Sequence, residues 1–144
     1  MVQGRRVLKD EFKGLVAVVT GAAQGIGRAI AEELHAQGAS LVLVDCNLEG
    51  VVETTEWLCK AGRAAVDFVV ADLSDPLVIP ILAAQVAALR PKIDVLVNNA
   101  GIEVDLPFMR LTAEVFDRVM AVNLRAPLLV SKELASLFPD SGGP

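Results

Sequence analysis

No tyrosine occurs in this sequence, and it holds one histidine, one tryptophan and two cysteines. Cys46, Cys59 and His35 are its only thiols and imidazole, spaced too widely for a CxxC pair. They cannot build a metal site of ordinary ligand spacing, and the thiols are expected to be free and buried or half-exposed. Basic charge is short as well: 13 Lys and Arg against 18 Asp and Glu give a formal net charge of -5. No positive field gathers a polyphosphate chain, so nucleic acid is not an expected partner. The longest apolar stretch, Pro76 to Leu89, is broken by Gln85 and is too short to span a bilayer, so it reads as a buried helix. A leader would need an apolar region where Lys9, Asp10, Glu11 and Lys13 stand. A cytoplasmic location without a membrane anchor is expected.

What the sequence does have is 53% hydrophobic residues, in short runs that alternate with stretches of helical spacing. That alternation predicts a parallel sheet covered on both faces. Leu15 to Val19 is apolar throughout and reads as a central strand. Ile26, Ile30 and Leu34 then form a helix stripe, with His35 on the solvated side. A second strand, Leu41 to Val44, ends at Asp45, and a helix follows with Leu48, Val51, Val52, Thr55 and Leu58 on one face. Glu56 and Lys60 can pair outside it, and Trp57 reads as surface packing rather than a platform for bases. A third strand, Ala64 to Val70, precedes a helix start at Asp75-Pro76, with Pro80 placed to kink or delay the helix. A fourth, Ile93 to Val97, runs into Asn98-Asn99-Ala100-Gly101, which can also be a plain turn at a strand end. The last helix is predicted from Thr112 to Phe138, ended by Pro139 and Ser141-Gly142-Gly143-Pro144.

The chemistry is concentrated at strand ends. Between the first strand and first helix lies Thr20-Gly21-Ala22-Ala23-Gln24-Gly25-Ile26-Gly27. Gly21 permits a sharp turn, Gly25 a close approach of backbone to a pyrophosphate, and Gly27 tight helix-on-strand packing. The helix N-terminus then offers unpaired N–H groups to the anion. Asp45, about twenty residues on, is placed to accept hydrogen bonds from the adenosine ribose, which points to NAD. A 2′-phosphate there would meet a like charge, a repulsion of roughly 1 to 4 kcal/mol. Asn123 stands on the same helix face as Phe116 and Val119, where an amide would need partners. Pro127 lacks the N–H that would pair with the Asn123 carbonyl, and a free carbonyl at a kink can hold water.

Thr20 to Gly27 as TGxxxGxG, Asp72-Leu73, Asn98 to Gly101 and Asn123, in this order and spacing, resemble the short-chain dehydrogenase/reductase family from about Phe12 onward. The resemblance implies a three-layer, doubly wound parallel sheet, a Rossmann fold, with strand order 3-2-1-4 as far as it goes. It implies an NAD-dependent oxidoreductase acting on a hydroxyl/carbonyl pair of a small molecule. Gly21, Gln24, Gly25, Ile26, Gly27 and Asp45 would bind the dinucleotide, and Asp72 and Leu73 would contact adenine. Asn99, Ala100 and Gly101 would line the cofactor channel. Asn123 would join a catalytic proton relay through water, linking a lysine to solvent, and its helix resembles one that family members use between subunits, so a homo-oligomer is expected.

The family's reaction also uses a serine, a tyrosine and a lysine on a later strand and helix, and no tyrosine is present. Ser131-Lys132 lies within the helix after Asn123 and reads as solvated surface. The sequence therefore divides into an N-terminal extension, 1–11, and a dinucleotide-binding region, 12–144, read as truncated before its catalytic half and inactive alone. The fourth strand would then be an apolar edge, and the isolated chain marginal in stability. A noncatalytic dinucleotide- or partner-binding module is the alternative.

Overall fold

A computed structural model describes residues 10–139, so Lys9 and the closing Ser141 to Pro144 lie outside the described residues. Strands and helices alternate: β1 (Val16–Thr20), α1 (Gly25–Ala36), β2 (Ser40–Asp45), α2 (Leu48–Ala61), β3 (Val66–Val70), α3 (Val78–Leu89) and β4 (Val95–Val97). All four strands are parallel, in the order β3-β2-β1-β4 expected above. Successive strand residues point to opposite faces, so β1 and β2 feed two cores. Val18, Val42 and Val44 pack with α3 and the last helix on one face, and Ala17, Val19, Leu41 and Leu43 with α1 and α2 on the other. Burial on both sides is why these strands read as unbroken apolar runs.

The helix α1 is rotated from its expected stripe. Ile26 is 74% exposed, and the inward positions are Gly27, Ala31, Leu34 and His35. The glycine decides this, because a Cβ added at Gly27 would fall on the Gly21 carbonyl oxygen. Position 27 must face the strand turn for helix and strand to approach, and residues one turn apart follow it inward. His35, expected in solvent, is therefore 1% exposed, and neither ring nitrogen has a hydrogen-bond partner.

The second helix departs in a similar way. Leu48 is exposed, while Thr54 is buried with its hydroxyl reaching the Gly50 carbonyl at 2.9 Å. No Glu56–Lys60 ion pair forms among the described residues; Arg28 instead reaches Glu32 and Glu53 at 3.1 Å each and lies over Trp57, 5.8 Å from the ring centre. Both cysteines are exposed rather than buried or half-exposed, because Cys46 follows the strand end and Cys59 falls off the inward face of α2.

Further along, Asp75 accepts the Leu77 N–H at 2.9 Å, and α3 begins at Val78. Pro80 thus falls in the first turn, where its missing donor breaks no intrahelical bond, and it delays the helix instead of kinking it. The fourth strand is shorter than its apolar run. Ile93 is fully buried but lies outside the ladder, and Asp94 exchanges bonds with the Val16 backbone: N–H to carbonyl at 2.8 Å, carboxylate to N–H at 3.0 Å.

After a single 3-10 turn, Phe108–Arg110, Thr112 accepts the Val115 N–H and starts α4 (Ala113–Met120). The run does not break at Pro127. It widens into a π turn, Ala121–Arg125, in which the Ala126 N–H reaches the Ala121 carbonyl, and continues as α5 (Ala126–Leu134). Such wider turns recur at functional sites. Among the described residues no helix is long and apolar enough to cross a membrane.

Candidate functional site

At the C-terminal ends of the strands, where the order reverses between β1 and β4, the chain opens a cleft of about 450 Å³. Open parallel sheets bind ligands at this position. Gly21, Gln24, Gly25, Ile26, Gly27, Asp45, Asp72, Leu73, Asn99, Ala100 and Gly101 all line it. Sequence reading drew these residues from four separate segments, and the fold brings them to one place.

The floor is the turn from β1 into α1. Gly21 has φ +68°, and a Cβ there would stand 2.8 Å from the Ala100 Cα, so this position needs glycine on two counts. Gln24 precedes α1 in extended conformation and gives no side-chain cap, and no acidic residue stands in the first turn. The first N–H groups of a twelve-residue helix are thus left for a ligand.

Asp45 ends β2 with both carboxylate oxygens in use: one accepts the Ala23 N–H, the other the Asn47 N–H, each at 2.9 Å. The carboxylate therefore fixes the glycine-rich loop against the β2 tip, and Asp45 lines the cleft beside it. Asp72 accepts the Ser74 N–H at 2.9 Å. That bond, helped by the Ser74 hydroxyl and less by the charge of Arg118, holds its carboxyl below the usual range. Burial, then the Asp45 and Asp72 carboxylates, push the Cys46 thiol up. That shift favours the neutral thiol over the nucleophilic thiolate.

Thr20 was not among the candidates, yet it joins the two sides of the cleft. Its hydroxyl accepts the N–H groups of Asn99 and Ala100 at 3.0 Å each and donates to the Val97 carbonyl at 3.3 Å. Asn99 returns the contact, its amide donating to the Thr20 and Gly21 carbonyls at 3.0 and 3.2 Å. A hydroxyl ending an otherwise apolar strand was the available signal. Cys46, Asn47, Ser74, Ile102, Arg118 and Val122 also line the cleft and were missed as candidates. Arg118 and Val122 share a helical face, but no strand-end motif marks them.

Asn123 stands apart. It is exposed, not buried on an apolar face, and it does not line the cleft. Its amide satisfies itself on one backbone unit, donating to the Ile102 carbonyl at 2.9 Å and accepting the Ile102 N–H at 2.8 Å. The residue therefore fixes the segment after Gly101. Ser131 and Lys132 are exposed as expected, though the Ser131 hydroxyl accepts from the Asn98 amide at 3.0 Å.

The sequence profile of the short chain dehydrogenase family matches residues 15–143. This chain belongs to that family. Among its relatives, the uncharacterized oxidoreductase YxbG of Bacillus subtilis is 38% identical over 128 residues, which is 88% of this chain and 46% of that protein. D-threitol dehydrogenase of Mycolicibacterium smegmatis is 35% identical, across 99% of this chain and 56% of the relative. A metagenomic short-chain oxidoreductase solved in complex with NADP superposes with a TM-score of 0.80 at 38% identity, covering 86% of this chain and 56% of that one. The chain thus spans about half the length of the relatives it matches.

Proposed function

We propose that this chain forms the dinucleotide-binding part of an oxidoreductase that moves hydride between NAD(H) and a hydroxyl/carbonyl pair on a small substrate. The observation that carries the reading is the uncapped start of α1, which opens into the same cleft as the Asp45 carboxylate. A pyrophosphate fits the first and the adjoining ribose the second. Bound nicotinamide would supply the hydride acceptor or donor. Gly21, Gln24, Gly25, Ile26 and Gly27 hold the phosphates, Asp45 the ribose, and Asp72 and Leu73 the base beyond it. Asn99, Ala100 and Gly101 form the opposite wall toward the nicotinamide.

The preference for NAD rests on charge. The metagenomic relative was solved with NADP, so the fold alone does not make the choice. Here Asp45 occupies the strand tip, followed by the uncharged Cys46 and Asn47, and the first arginine of α1, Arg28, is committed to Glu32 and Glu53. A 2′-phosphate would meet a carboxylate with no cation released on the β2 tip or on α1 to pair with it.

Asn123 contributes at one remove: by gripping the Ile102 backbone it holds the wall near the reacting end of the cofactor, and in the complete enzyme it would join the proton relay. Family chemistry also calls on a tyrosine, and these 144 residues contain none. A positioned acid or base contributes roughly 10² to 10⁴ in rate, so the chain alone is read as binding without turnover. That same absence supports the second reading, a noncatalytic dinucleotide- or partner-binding module. Cytoplasmic residence and self-association through the exposed Phe116, Leu124 and Leu128 around Asn123 belong to the first reading.

Calorimetric titration of the purified chain tests it. NAD⁺ should bind about tenfold more tightly than NADP⁺, a difference of about 1.4 kcal/mol. Equal constants would remove the NAD preference, and binding of neither would remove the dinucleotide reading altogether.

A further inference from the structure

The cleft has one cationic side chain among its lining residues, and it is on neither the phosphate loop nor the β2 tip. Arg118 projects from α4, exposed, and its side chain makes no hydrogen bond or ion pair among the described residues. The other arginines at this end are occupied. Arg125, on the π turn, donates to the Ser74 carbonyl at 2.6 Å, tying the Asp72 to Ser74 wall to the same helical run that carries Arg118. Val122, one turn beyond Arg118, is buried and lines the same cleft. The guanidinium is thus carried on a braced support and left without an internal partner.

Its position follows from the order of groups along the cleft. Phosphates at the α1 N-terminus and a ribose at Asp45 put the attached base further out, past Cys46, at Asp72 and Leu73. Arg118 lines the same cleft, close enough to Asp72 for its charge to act on that carboxylate. We propose that Arg118 is a binding residue for the adenine base, its guanidinium plane closing the mouth over the ring while Leu73 supports the other side. The inference rests on the dinucleotide reading above and adds to it a side chain from an element that carries no phosphate or ribose contact. A planar guanidinium stacks on aromatic faces, which an ammonium does not do. A phosphate clamp is the competing use of a free arginine. It is disfavoured here because Asp72 stands beside Arg118 and Asp45 stands at the ribose, so a phosphate would approach two carboxylates.

The test compares the 144-residue chain with its Arg118→Leu and Arg118→Lys variants by calorimetric titration of NAD⁺, NADP⁺ and AMP. A stacking role predicts that Arg118→Leu weakens all three ligands by the same factor, about five- to thirtyfold. Arg118→Lys should restore less than half of that loss, and the melting temperature of both variants should match the parent, since the side chain is exposed. Unchanged affinities in Arg118→Leu would overturn the proposal. So would a loss confined to NADP⁺, which marks a phosphate clamp, or full rescue by lysine, which marks charge alone. Failure of the parent chain to bind any of the three would instead sink the dinucleotide reading, and the proposal with it.

Discussion

Leu41-Val42-Leu43-Val44 in β2 and Val95-Leu96-Val97 in β4 are written in the same two letters, yet their surroundings differ throughout. All four β2 residues are 0% exposed, and all three of β4 are partly exposed. The cause is position in the sheet. β2 is bonded to β1 and β3 and covered on both faces, while β4 pairs with β1 alone. Alternating leucine and valine specify a strand, but neighbours on either side decide how much of it water reaches.

Truncating one leucine in each strand is the sharpest way to break this comparison. Leu43→Ala should cost about 3 to 4 kcal/mol of stability and Leu96→Ala about 1 to 2, read as shifts in urea midpoint at constant slope. Equal losses would mean that β4 is as enclosed as β2. The expected edge character of β4 leads in the same direction: the isolated chain should melt broadly, and a sharp cooperative melt of monomer would contradict that.

Beside the backbone ladder between β1 and β4, one hydroxyl ties down the turn that follows β4. Thr20 accepts two N–H groups from the residues that follow β4, and it is 1% exposed. Thr20→Val keeps the shape, strands the Ala100 N–H and leaves the Asn99 N–H only the Val97 carbonyl at 3.1 Å. It should cost about 2 kcal/mol and weaken dinucleotide affinity together with stability, since Asn99 and Ala100 line the cleft. A neutral substitution in denaturant titrations would show that the stitch between β1 and β4 does not depend on this group.

How much of this was readable beforehand depended on whether a residue's role is local. The strand order was implied by the family resemblance, and the glycine-rich loop and Asp45 by their spacing; the structure has that order and brings the loop and Asp45 to one cleft. The inward face of α1 was misread by one position because Ile26, Ile30 and Leu34 mimic a core stripe, while the true constraint is a missing side chain at Gly27. Hydrophobicity alone cannot register a close approach. The same rotation buries His35 without partners, so His35→Leu should raise stability by about 1 kcal/mol in thermal melts at neutral pH, by relieving an unsatisfied polar group. Asn123 reads from spacing as an amide on an apolar face, whereas it is exposed, and its partner, the Ile102 backbone, lies on a segment whose path spacing does not reveal.

The smallest effect falls where β4 begins. Asp94 accepts the Val16 N–H and pairs with Lys92 at 2.8 Å, and these two contacts, Lys92 first, hold its carboxyl below the ordinary 3.8. A carboxylate depressed in the folded state stabilises above its unfolded value and loses that contribution as pH falls through the folded one. Asp94→Asn should therefore cost about 1 kcal/mol at pH 7, with the gap between parent and variant narrowing only below about pH 4. A gap that stayed constant down through that acid range would assign the contact to geometry alone. The entry to β4 would then be held like the interior of β2, by neutral backbone pairing, and the contrast between the two strands would be one of burial only.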